Sequence, residues 1–229
     1  MTGDSSKLSD QMTKNTPDLL INQAHRALIQ QLREGQLPSG MFLSIPMLVE
    51  RLELPIAAVR DAVKRAEASG LITVLPKRGI TIMDANAKTT QECLELRALF
   101  DCEGARQIIE QGMDIPLTDL KEQHERLRDD ARNKITPDLP SRAIKTDLSL
   151  HDVLSTGLAS DLAAGLYADN RDRIAIIQNT RRFVPNRVES AMEEHLEIIA
   201  AIEAGQVQQA QSAIRTHLHN TLQWWGIFS

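Results

Sequence analysis

The sequence predicts a mainly α-helical protein in two parts: three helices closed by a β-hairpin over residues 17–83, then an all-α bundle of about six helices over 91–229. Three observations carry this. Apolar residues recur at helical spacing along most of the chain, interrupted by Gly and Pro. Two β-rich runs flank a basic turn at residues 76–79, and no such run follows them. Aromatic content is only 3%, so the cores must be built from Leu, Ile, Val, Ala and Met, a set that favours helix.

Residues 1–16 are polar and are expected to form a flexible N-terminus. From Pro17, the residues Leu20, Ala24, Ala27, Leu28, Ile29 and Leu32 keep a helical period that Gly35 ends. Leu37-Pro38-Ser39-Gly40 reads as a turn. A short second helix carries Ile45, Leu48, Val49 and Leu52 on one face. Pro55 fits the first position of a third helix, where its missing N–H costs little. That helix presents Val59, Ala62, Val63 and Ala66 and stops at Ser69-Gly70. Leu71 to Leu75 and Ile80 to Met83 enclose Pro76-Lys77-Arg78-Gly79 and read as a hairpin with a basic tip. Three helices followed by such a hairpin make a winged helix-turn-helix. Asp84 to Thr90 is a polar linker. Beyond it, helices are expected near 91–112, 117–133, 139–156, 159–178, 185–203 and 206–225. Ligand sites in such bundles form between facing helices.

At 229 residues the chain suits two modest domains better than one large core. No apolar run approaches the roughly 20 residues that span a bilayer. The N-terminus lacks the apolar middle of a secretory signal. A cytoplasmic protein without a membrane partner is expected. Cys93 and Cys102, on one helical pattern, lie roughly 13 Å apart along its axis, too far to bridge. They read as reduced thiols. The net charge of −5 divides unevenly: residues 1–87 hold ten Lys/Arg against nine Asp/Glu, and the remainder sixteen against twenty-two. DNA binding needs a local basic surface, not a basic protein. Between residues 60 and 78, Arg60, Lys64, Arg65, Lys77 and Arg78 face only Asp61 and Glu67.

In a helix-turn-helix the third helix enters the major groove with its early residues near base edges. Arg60 is the best candidate reader, since a guanidinium donates two parallel bonds to guanine O6 and N7. Lys64 and Arg65 are placed for phosphates. Lys77 and Arg78 at the hairpin tip can reach the backbone or the adjacent minor groove, and Gly79 lets the tip turn tightly. Solvated surface charge is the competing reading for each residue taken singly.

Asp147 and His151, four apart on a predicted helix, share a face. His195 lies in the penultimate helix and His217 in the last. One Asp and three His from three helices can close around a divalent ion; this donor set suits Zn²⁺, taken as the first candidate, or Ni²⁺, Mn²⁺ or Fe²⁺. On spacing alone, each histidine is equally a surface or satisfied core residue. His219 points about 200° away from His217 on a helix, so one of the two faces outward. Arg181, Arg182 and Arg187 are weaker candidates for holding an acidic ligand, and solvated surface charge is the simpler reading of them. Trp224, Trp225 and Phe228 gather at the C-terminus, where they cover the bundle end or a dimer seam, core packing being the simpler reading. An enzyme is disfavoured: no His-Glu-x-x-His occurs, and Met192 stands three before His195 where a di-iron bundle needs Glu.

The run from Gln30 to Gly79 resembles the GntR family of bacterial regulators. The match lies in Arg33-x-Gly35-x-Leu37-Pro38-x-Gly40, in Val59-Arg60-Asp61-Ala62-Val63, and in Gly70-Leu71-Ile72 leading to Arg78-Gly79. The resemblance implies that Arg33, Arg60, Lys64, Arg65, Lys77, Arg78 and Gly79 form the DNA-binding set, with Arg60 on bases and the wing in the minor groove. The family's Ser-Arg-Thr-Pro before the Val-Arg pair is replaced here by Pro55-Ile56-Ala57-Ala58, which removes up to three polar contacts. Residues 91–225 resemble the FCD ligand-binding domain of the FadR branch, in its shorter, vanillate-regulator-like form. The match lies in Leu96-Arg97, Asp147-x-x-x-His151, Glu194-His195 leading into Ile198-Ile199-Ala200-Ala201-Ile202-x-x-Gly205, and Ala210 through His217-Leu218. It implies a metal held by Asp147, His151, His195 and His217, and an effector that faces Arg97, a natural clamp for a carboxylate. The alternative for Arg97 is an i+4 pair with Asp101.

The expected protein is a transcriptional regulator, a repressor of a catabolic operon released by a small organic acid. A helix-turn-helix monomer buries too little surface for high specificity, so a homodimer on a pseudo-palindromic operator is expected. The rival readings are a DNA-binding protein with a purely structural metal and, further off, a metal-dependent enzyme.

Overall fold

A computed structural model describes the backbone of residues 5–227 and the side chains of residues 18–227; Phe228 lies outside the described residues. The chain divides into two compact units. One extends to Ala85 and takes in Ala175–Thr180; the other comprises Asn86–Ile174 and the chain from Arg181 onward.

The first unit holds α1 (Ser5–Arg33), β1 (Phe42–Leu43), α2 (Ile45–Leu52), α3 (Ile56–Ala68), β2 (Ile72–Leu75) and β3 (Gly79–Ile82). The strands form an antiparallel sheet in the order β1-β3-β2, with Leu43 opposite Ile80 and Leu75 opposite Gly79. Ala24, Leu28 and Leu32 of α1, Leu48 of α2, Val59, Ala62 and Ala66 of α3, and Ile80 and Ile82 of β3 are buried together as its core. Ser44 starts α2 by accepting from the Met47 N–H. Pro55 caps α3 without a side-chain bond, one residue before the position expected for it.

Three differences from expectation have local causes. The helix expected from Pro17 reaches back to Ser5, because good helix formers such as Lys7, Leu8, Gln11 and Met12 extend it without needing an apolar stripe. β1 is two residues long, too short to show a period. The linker expected over 84–90 is shorter, because Asn86 Oδ1 accepts from the Thr89 N–H at 2.9 Å and starts a helix inside it.

The second unit is built on α4 (Ala87–Gln111), α5 (Leu117–Asn133), α6 (Leu139–Ser155), α7 (Asp161–Asn179), α8 (Pro185–Glu203) and α9 (Val207–Trp224), the last turn of α7 being counted with the first unit. α5 packs on α8, and α9 packs on both α8 and α4. One core joins Ala105, Ile108, Leu120, Leu150, Leu154, Ile198, Ile202, Ala210 and Ile214. A second joins Leu127, Ala131, Leu139, Ala191 and Met192. α4 and α6 run side by side in one direction: Arg97 meets Asp147 and Asp101 meets His151, each pair 50 residues apart. Gly104 keeps that register, since a side chain there would collide with the Leu154 carbonyl. No helix among the described residues is long and apolar enough to cross a membrane.

A candidate metal centre and a candidate DNA-reading face

In the second unit α6 supplies Asp147 and His151, α8 supplies His195 and α9 supplies His217. One ligand-capable atom from each lies within 4.8 Å of the others. The histidines sit where their helices carry core residues: His151 between Leu148 and Leu154, His195 between Met192 and Ile198, His217 between Ile214 and Thr221. All three are buried, and the Asp147 side chain is 16% exposed. His219 is exposed.

Hydrogen bonds around the cluster fix its protons. His151 Nδ1 lies 2.7 Å from Asp101 Oδ2, and His217 Nδ1 lies 2.7 Å from Glu194 Oε2. His195 Nδ1 lies 3.1 Å from Nε2 of His124, whose own Nδ1 is 2.7 Å from the Leu120 carbonyl. Carboxylate and carbonyl oxygens accept, so Nδ1 of His151, His217 and His124 carries the proton. The Nε2 of a neutral His124 then accepts from His195 Nδ1–H. Every Nε2 of the three clustered histidines is thereby left as a lone pair facing inward. His195 Nε2 stands 3.2 Å from His217 Nε2 and 3.6 Å from Asp147 Oδ1, and buried His151 Nε2 has no hydrogen-bond partner.

Converging lone pairs beside a carboxylate repel one another unless a positive charge lies among them. Imidazoles that donate their outer N–H to a carboxylate or another fixed acceptor are the usual arrangement of ligating histidines. The cluster can therefore hold a metal ion. Burial pushes His195 well below the ordinary imidazole range, with the neighbouring histidines and Arg97 adding to the shift. Burial likewise lowers His124, and lowers His217 to about 4 against the raising effect of its Glu194 bond. Neutral imidazole is the form that ligates.

Arg97 is buried at the edge of the cluster. Its guanidinium lies 3.4 Å from Asp147 Oδ2, 3.3 Å from His217 Nε2 and 3.9 Å from Asp101 Oδ2. The i+4 neighbour and the site-facing position are thus both realised. Four residues outside the sequence-derived set complete the surroundings: Asp101, His124, Glu194 and Arg187. Arg187, expected to be solvated, is 11% exposed. It donates to Glu194 at 2.8 Å and to Thr221 at 2.7 Å, because α8 turns its N-terminal arginine into the α8–α9 contact. Burial raises the Glu194 carboxyl, but the bonds from His217 and Arg187 outweigh it and hold the group below its ordinary value. Arg181 is also not simply solvated; it donates to Thr90 and lies 4.8 Å above the Trp225 ring. Trp224 is 49% exposed, so packing does not account for it.

The basic residues of the first unit from Arg26 to Arg78 are exposed. The side chains of Arg60, Lys77 and Arg78 make no hydrogen bond or ion pair with the described residues. Lys64 pairs with Asp61 at 3.2 Å on the open surface, a contact worth less than about 1 kcal/mol. Arg65 donates to Asn22 Oδ1 of α1 at 2.9 Å, which ties it to the domain framework. Arg33 is exposed at the end of α1, where its carbonyl accepts from Asn179. Lys77 turns the hairpin at φ +62°. Gly79 has φ +141°, and a side chain there would strike the Leu43 carbonyl. Its glycine is required by β1 packing within the sheet.

A winged helix-turn-helix joined to an all-α unit with a buried His/Asp cluster defines a class, the DNA-binding regulators that carry a second, ligand-directed domain. Residues 20–82 match the gntR family of bacterial regulatory proteins and residues 92–220 match the FCD domain. The chain belongs to the GntR family of transcription regulators, among the members whose second domain is FCD. Among solved structures, E. coli McbR/YncC is similar with a TM-score of 0.74 over 89% of this chain and 95% of that one, at 17% identity. A GntR transcriptional regulator from Rhodococcus sp. RHA1 is similar at 0.72 over 91% and 99%, at 18% identity. Lar of Listeria monocytogenes is similar at 0.55 over 91% and 97%, at 12% identity. At such identities the likeness is one of fold. No curated protein matches the chain.

Proposed function

We propose that this GntR/FCD regulator is a homodimeric, cytoplasmic repressor of a catabolic operon, released from a pseudo-palindromic operator by a small organic acid bound at the cluster of Asp147, His151, His195 and His217. The observation that carries this reading is the convergence of three Nε2 lone pairs and a carboxylate beside the Arg97 guanidinium. A divalent ion held by these four residues, zinc first among the candidates, would supply positive charge to draw in a carboxylate. The chain's own residues do the rest. Asp101, His124 and Glu194 hold the imidazoles in the ligating tautomer, and Arg97 clamps a carboxylate. Three carboxylates (Asp101, Asp147, Glu194) and two guanidiniums (Arg97, Arg187) leave one formal negative charge, which a divalent ion turns to one positive. A monoanion restores neutrality, and that favours a carboxylate ligand over a neutral one.

Regulation follows by linkage: an effector that prefers the conformation poor at holding DNA lowers operator affinity by the factor by which DNA lowers effector affinity. Arg60, Lys64, Arg65, Lys77, Arg78, Gly79 and Arg33 are assigned to the DNA-binding set, with Arg65 and Gly79 in supporting roles. A purely structural metal is the second reading, favoured by the four protein donors, a number that would satisfy an ion such as zinc without an outside ligand. Thermal melting of the zinc-loaded protein with a panel of carboxylic acids separates the two. The sensor reading expects at least one acid to raise Tm in the parent and not in Arg97→Met. No response to any acid class would leave the structural metal.

A further inference from the structure

The first turn of α3 offers no polar side chain. Pro55, Ile56, Ala57 and Ala58 occupy it, and no side chain caps it. Ala58 is buried in the core, whereas Ile56 is 47% exposed and Ala57 is exposed. Ile56, Arg60 and Lys64 follow at four-residue intervals and all face solvent, so they form one stripe along the helix. A lone apolar side chain on a protein surface needs no explanation. Ile56 differs because the early residues of this helix are the ones that meet base edges in a helix-turn-helix. A side chain that neither donates nor accepts desolvates any polar edge it covers without replacing the lost bond. Only one feature of the major-groove edges is apolar, the C5-methyl of thymine.

We propose that Ile56 reads thymine through its 5-methyl group, beside the base pair contacted by Arg60. The four-residue step from Ile56 to Arg60 rises about 6 Å, less than two base-pair steps of about 3.4 Å, so the two contacts fall on adjacent or next-adjacent pairs of one half-site. The apolar stretch that replaces the usual polar one thus changes what is read and does not merely weaken reading. The proposal rests on the assignment of α3 as the DNA-reading helix.

The test begins by selecting duplexes from a randomised pool with the full-length protein at fixed salt. The selected site is then resynthesised with deoxyuridine in place of each thymine in turn, which keeps pairing and the O4 acceptor and removes the methyl alone. At one position per half-site the parent should bind about fourfold more weakly, equivalent to about 0.8 kcal/mol for one methyl-sized group. Ile56→Ala, at an exposed helical position where Ala is a better helix former, should show no difference between thymine and deoxyuridine there. If deoxyuridine is tolerated at every position, or if the penalty persists in Ile56→Ala, the proposal is overturned while α3 remains the reading helix. If the pool yields no preferred sequence, the assignment of α3 itself fails, and this proposal with it.

Discussion

The two candidate sites are built on opposite principles. Around Asp147, His151, His195 and His217 the outer imidazole nitrogens are each committed to a fixed partner; the imidazoles are buried, and their protons are set by Asp101, His124 and Glu194. On the DNA-reading face the charges are exposed, and Arg60, Lys77 and Arg78 have no partner among the described residues. The difference follows from what each must hold. A small ion demands donors placed to within a few tenths of an ångström. A hydrated polyanion tolerates flexible cations that settle on contact. Substitutions at the buried site should therefore act steeply and cooperatively, and those on the open face singly and with strong dependence on salt.

The largest effect is expected from the cluster itself. His195→Ala should weaken zinc binding more than about 100-fold, since four ligands share a total of about 10–16 kcal/mol. Competition with a chelating dye measures this. Next come the residues that orient the ligands: Asp101→Asn, Glu194→Gln and His124→Leu should each cost about 10- to 100-fold in metal affinity. His124→Gln, which keeps an acceptor near Nε2, should recover most of that loss. Equal affinities for His124→Leu and the parent would show that the histidine chain does not set the tautomer.

The same contrast explains what could be read from the sequence. Asp147 with His151 was visible as an i, i+4 pair, and the helices and hairpin were visible because their apolar periods are regular. Asp101 is legible only as the i+4 partner of Arg97, Glu194 only as part of the family match and Arg187 only as a surface charge, and nothing marks any of them or His124 as support for the cluster, because a partner in the second layer is chosen by three-dimensional register, here the common offset of α4 on α6 and the packing of α5 on α8. One signal was present for His124. It stands at a core position of α5, in step with Leu120, Leu127 and Ala131, where an unpaired imidazole is costly. Gly104 carried no local signal at all, since its role is to let α6 approach.

That register gives a further prediction of intermediate size. Gly104→Ala should destabilise the second unit by about 1–3 kcal/mol, the usual cost of overpacking, and lower zinc affinity with it, because Asp101 would move away from His151. Denaturant unfolding with and without zinc reads both. On the open face Arg60→Ala should cost about 1–3 kcal/mol and relax specificity at one base pair. The smallest effect belongs to Lys77→Ala, which should weaken all duplexes alike and reduce the slope of log affinity against log salt by about one.

The most direct test of the link between the two sites is the affinity of the zinc-loaded protein for its selected duplex, followed by fluorescence anisotropy during titration with small carboxylic acids. The account predicts that an acid which stabilises the parent weakens DNA binding about 5- to 150-fold, and that Arg97→Met abolishes the response while still binding DNA. DNA affinity unchanged by an acid that demonstrably occupies the cluster would contradict it.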